Sequence, residues 1–184
     1  MKAPVIYADW VRCFDAFAAG DEDEQTLLLM EQGTIDWTTG IDSKMTERLY
    51  QLLEKRLKQA SEQMHLEFSR NQQTDDHVVR ALLNARRRFA VLLRLVSLKA
   101  YPPEIRAALK HTLNSYVIDS QSALEKSAAA DRTGHLSMLI RNNPLTNYEV
   151  MAKEQSSAAA IPNPLHKAVT GPNTRKRRVL WKHE

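Results

Sequence analysis

Residues 74–103, TDDHVVRALLNARRRFAVLLRLVSLKAYPP, decide the fold. Val78, Val79, Leu82, Leu83, Phe89, Ala90, Leu92, Leu93, Leu95 and Val96 are too many for one helical face, so this stretch predicts a helix with neighbours on several sides. Thr74 supplies an N-cap hydroxyl, and Asp75 and Asp76 complement the positive end of the helix dipole. Tyr101-Pro102-Pro103 ends the element, because proline disfavours α conformation in the residue before it and has no amide proton to donate. The stretch is the expected centre of an all-α fold.

Working outward, Met45, Leu49, Leu52, Leu53, Leu57, Ala60, Met64 and Phe68 recur at three- and four-residue steps and predict a helix from Ser43 to about Arg70, capped by Asp42. On the other side, Pro103 suits a first helical turn, and Ile105, Leu109, Leu113, Tyr116, Ala123 and Leu124 carry a stripe toward Ala130. Short polar breaks between the three imply long antiparallel helices. Leu53, Leu57, Leu82, Phe89, Leu93, Leu109 and Leu113 are expected to share one core.

Shorter helices flank them. Trp10, Phe14 and Phe17 predict one over Asp9–Ala19, stopped by Gly20. Asp21 then caps a second, with Glu22, Asp23 and Glu24 as dipole-favoured first-turn acids and Gly33 as its end. Beyond Gly134, a brief helix over Leu136–Ile140 and a last one from the capping-box spacing Thr146-x-x-Glu149 to about Glu154 are expected. The whole reads as an antiparallel bundle with short N-terminal helices, residues 1–155. Residues 156–184 read as a flexible basic tail, since Pro162, Pro164, Gly171 and Pro172 punctuate a stretch without apolar periodicity. Such a tail is expected to be dispensable for folding and needed for engaging a partner.

Composition narrows the function classes. The longest apolar run, Phe89–Leu98, is broken by Arg94 and falls far short of the roughly 20 residues that span a bilayer. The N-terminus lacks a secretory signature, and the lone Cys13 suits a reducing compartment, so a soluble cytoplasmic protein is expected. Of 184 residues, the first 42 hold nine acids against Lys2 and Arg12, so this acidic arm leaves the rest strongly basic within a net +4. Either an anionic partner meets the basic part or the acidic arm folds onto it.

No catalytic constellation assembles. Glu62-x-x-His65 is half of a carboxylate-bridged dimetal motif without its second half, and Asp75-Asp76-His77 points in different directions from a helix start. The five glycines are isolated, so no phosphate cradle is visible, and Cys13 has no neighbouring histidine to activate it. No catalytic residue, metal site or cofactor is expected.

The basic features carry the functional expectation. Arg80, Arg87 and Arg94 recur every seven residues and return to one side of the central helix, where they can follow a phosphate backbone or pair with acids of the N-terminal arm. Arg86-Arg87-Arg88 instead fans around the helix. In the tail, Arg175, Lys176, Arg177, Arg178 and Lys182 surround Trp181, joining cations to one apolar anchor. The leading expectation is a non-enzymatic helical adaptor or regulator that associates with a protein partner through these residues. The alternative is a DNA- or RNA-binding protein that uses the same cations as phosphate contacts.

Overall fold

Thr74 caps the central helix as its sequence implies: in the computed structural model its Oγ1 accepts from the His77 amide at 3.4 Å, ahead of a helix over Asp75–Val96. The structure describes residues 2–20, 23–38, 40–68, 74–151 and 153. Among them the elements are α1 (Tyr7–Ala19), α2 (Asp23–Glu31), α3 (Ile41–Phe68), α4 (Asp75–Val96), α5 (Pro103–Ala128) and α6 (His135–Asn142), followed by a 3-10 turn, Leu145–Asn147. There is no strand among the described residues, and the fold is an all-α helical bundle. No described helix is long and apolar enough to cross a membrane.

α4 packs against α2, α3, α5, α6 and the 3-10 turn, which accounts for apolar residues on more than one of its faces. α3, α4 and α5 run up, down and up. At one end the His77 ring meets the Glu67 carbonyl at 2.9 Å, and at the other the Trp37 indole donates to the Ala100 carbonyl at 2.7 Å. α3 and α5 therefore lie side by side in the same direction. α1 lies along the middle of α3, with the Gln59 amide donating to the Ala18 carbonyl at 3.3 Å and the Arg56 guanidinium stacked on Phe17. Gly20 closes α1 in the left-handed region, φ 84°, where a side chain is disfavoured.

A single core unites the elements. Leu53, Leu57, Leu82, Phe89, Leu109 and Leu113 are buried together, as expected from their spacing. Leu93 departs from that expectation and is only half-buried. It shares a flank of α4 with Val79, Leu83 and Arg86, all half-buried, at the margin of the arc that neighbouring helices cover. Ala123 is exposed, because the inward stripe of α5 runs through Leu109, Leu113, Val117, Leu124 and Ala128 and passes it by. The helix near Thr146 is entered differently from a capping box: Pro144 precedes the 3-10 turn, which leads into helical residues from Tyr148.

Near the N-terminus, Trp10, Phe14, Trp37 and Tyr101 form an aromatic nest, with Trp10 and Tyr101 centroids 6.0 Å apart. Gly33 is required there by close approach rather than by a turn. A Cβ at that position would lie 2.7 Å from the Trp10 ring and 2.9 Å from the Pro4 carbonyl oxygen. The Trp10 indole donates to the Thr34 carbonyl at 2.9 Å, and the Thr34 amide donates to Pro4, so three segments meet at one glycine.

Candidate protein-docking site

Between the parallel neighbours α3 and α5 lies a groove of about 660 Å³, lined by Tyr50, Leu53, Leu57, Thr112 and Tyr116. Tyr50 on α3 and Tyr116 on α5 form its two walls. Leu53 and Leu57 are buried in its floor, while Tyr50 remains 37% exposed at its mouth. The Tyr116 hydroxyl donates to the Leu57 carbonyl at 3.2 Å and fixes the opposite wall. Thr112 turns its hydroxyl back to the Ala108 carbonyl at 3.1 Å, so it presents mainly its methyl to the groove. Glu54, Lys58 and Glu62 follow one another at four-residue steps along the α3 rim, all exposed. The arrangement suits one large apolar side chain with cationic neighbours.

A second cavity, about 410 Å³, lies among α1, α3 and α4 and includes Gly20, Arg56, Gln59, Gln63, Arg88 and Leu92. Its cations are engaged. Arg56 donates to Gln59 at 3.1 Å and stacks on Phe17, whereas Arg88 contacts Glu67 at 2.5 Å and Gln63 at 3.3 Å.

The sequence-predicted cations separate into three groups. Arg80 and Arg87 are exposed on α4, with no ion-pair partner among the described residues. Arg94 is buried and faces α2, where its Nη1 donates to Glu24 at 3.0 Å and its Nη2 to Glu31 at 2.9 Å. The acidic arm thus takes Arg94 out of a free stripe, and Glu24 serves as an ion-pair partner in addition to lying in a first turn. Arg175, Lys176, Arg177, Arg178, Trp181 and Lys182 lie outside the described residues.

Cys13 is buried, and its thiol pKa is raised by desolvation first and by Asp9 second. The Tyr101 phenol is pushed well above its usual value by burial and then by Cys13, and its oxygen has no hydrogen-bond partner among the described residues. Glu62 and His65 are both exposed on α3, and no group of three or more His, Cys, Asp or Glu among the described residues is arranged to hold a metal ion. Asp75 meets His135 at 2.7 Å while His77 turns to Glu67, so the acidic start of α4 ties α6 and α3 to its end.

Sequence reasoning passed over Tyr50 and the groove it borders. The available signal was a tyrosine one position beyond the stripe residue Leu49, but a groove needs a second wall, and the pairing of α3 with α5 is not written in either helix. No family model matches the chain, and no curated protein or solved structure matches it.

Proposed function

We propose that the protein is a non-enzymatic helical adaptor that acts by association, with the α3/α5 groove as its docking surface. The observation that carries this reading is the groove itself: an apolar trough of about 660 Å³ between Tyr50 and Tyr116, open at the surface and rimmed by Glu54 and Glu62. Its occupant is a short protein segment presenting one aromatic anchor flanked by lysine or arginine. The anchor fills the apolar space, and the cations meet the rim carboxylates, the division of labour common at interface hot spots. The buried thiol of the single cysteine suits action in the cytosol.

The test places a photo-crosslinking residue at Tyr50 in the full chain, identifies what it captures, and rebuilds the complex from purified components. Thr112→Arg, at an exposed position on the opposite wall, should abolish that complex while leaving helicity intact. A complex indifferent to Thr112→Arg places docking elsewhere.

A second reading, nucleic-acid binding, is favoured by one observation: exposed Arg80 and Arg87, two turns or about 10 Å apart along α4, have no acidic partner among the described residues. On that reading affinity falls steeply with salt, and Arg87→Ala weakens binding to all sequences alike. Absence of DNA and RNA binding at low salt defeats it.

A further inference from the structure

We propose that in the resting protein the α3/α5 groove is covered by the chain's own segment Arg175–Lys182, with Trp181 between Tyr50 and Tyr116 and the flanking cations against Glu54 and Glu62. This rests on the groove being a docking surface and adds its regulation: a partner must displace an internal occupant.

The first ground is where the chain leaves the bundle. The Tyr148 hydroxyl hydrogen-bonds to Asn114 Oδ1, and its ring lies 6.4 Å from that of Phe89. Asn114 stands on α5 between Thr112 and Tyr116, both groove residues. The chain after Tyr148 therefore departs from the same level of α5 as the groove, around the girth of one helix, roughly 10–12 Å. Reach is no obstacle, since the 26 residues from Lys153 to Val179 can span up to about 90 Å. Covalent connection also gives a segment an effective concentration on the order of millimolar when its linker matches the span.

The second ground is chemistry. Trp181 is the one Trp, Tyr or Phe in residues 154–184, and Val179 and Leu180 precede it. Arg175, Lys176, Arg177, Arg178 and Lys182 bracket these apolar residues. Across the groove, Glu54 and Glu62 outnumber Lys58, which gives the α3 rim the opposite sign. A segment with an aromatic anchor between cations and a groove with an apolar floor beneath an acidic rim are complementary in both respects.

The experiment uses the full chain with a photo-crosslinking residue at Tyr50, with and without Trp181→Ala, and a labelled peptide of residues 173–184 as probe. Circular dichroism checks that both chains fold alike. We expect intrachain crosslinks from position 50 into 175–182, at a yield independent of protein concentration and reduced about tenfold or more by Trp181→Ala. The peptide should bind the Trp181→Ala chain roughly tenfold or more tightly than the unsubstituted chain, whose groove is occupied. Crosslinks between chains that rise with concentration, or equal peptide affinity for the two chains, overturn the proposal. If a partner protein is captured from position 50 equally well with Trp181 present or replaced, internal cover is overturned while the adaptor reading stands. If neither partner nor segment reacts from that position, both fall.

Discussion

Arg94 on α4 and Glu31 on α2 are joined twice, with Nε at 3.2 Å and Nη2 at 2.9 Å donating to the same carboxylate oxygen. The guanidinium is buried, yet Glu31 is 36% and Glu24 65% exposed, so both acids rehydrate when the pair is broken. Loss should therefore stay below the roughly 3–5 kcal/mol seen when a fully buried pair loses one partner. Arg94→Ala should cost about 1–3 kcal/mol, including the packing of its aliphatic stem. Glu31→Gln should cost up to about 1 kcal/mol and Glu24→Gln less. Urea unfolding of the three variants tests this order.

Core truncations should separate Phe89 from Leu93. Phe89 is fully buried and meets Tyr116 and Tyr148 edge-on, so Phe89→Ala should cost roughly 3–5 kcal/mol. Leu93 is half-buried, and Leu93→Ala should cost about 1–2 kcal/mol. Equal shifts in denaturant midpoint would contradict the difference in packing.

Gly33→Ala should destabilise by about 1–3 kcal/mol through overpacking, although a helix terminus ordinarily tolerates alanine. The added Cβ meets the Trp10 ring and the Pro4 backbone, and neither is the far end of a flexible side chain. Trp10 fluorescence together with thermal unfolding would register the displacement.

Alkali should weaken the fold from the nest outward. Cys13 and Tyr101 both have folded pKa values above their ordinary 9.0 and 10.0, chiefly through burial. The unfolded chain therefore ionises first. Their stabilising contribution is whole below about pH 9 and is lost as pH rises toward the folded values. Tm should fall as pH rises above about 9, and Tyr101→Phe should flatten the upper part of that fall. At pH 7 the same substitution should be neutral or slightly stabilising, because it removes a buried hydroxyl without a partner among the described residues.

Acid should loosen α6 first. Asp131 accepts from the Thr133 amide and hydroxyl and from the Leu136 amide, which lowers its pKa. Its contribution is present above the ordinary 3.8 and is lost as pH falls through the lower folded value. Hydrogen exchange at Leu136 should rise on Asp131→Ala, and at neutral pH as well as acid.

The long helices were legible because periodicity and punctuation act locally: Thr74, Gly20 and Pro103 begin or end elements by their own geometry. That Arg94 might meet the acidic arm followed from charge polarity, but the choice of Glu24 and Glu31 depends on where α2 settles against α4. Leu93 and Ala123 were misplaced because a stripe defines a direction and not the width that neighbours cover. The α3/α5 groove was illegible for a related reason: Tyr50 and Tyr116 become two walls only after α4 has reversed the chain between them.

Phe89, near the middle of α4, is enclosed by Tyr116 on one side and by Tyr148 on another, and Gln121 holds the Leu145 amide at 2.9 Å beside them. During synthesis the helices up to α5 can cover that ring on the Tyr116 side alone. The seam closes only when residues 145–148 have cleared the ribosome, so the other side of the ring stays open until they dock. Docking of residues 145–148, more than packing of the long helices, is therefore the step that completes the enclosure of Phe89.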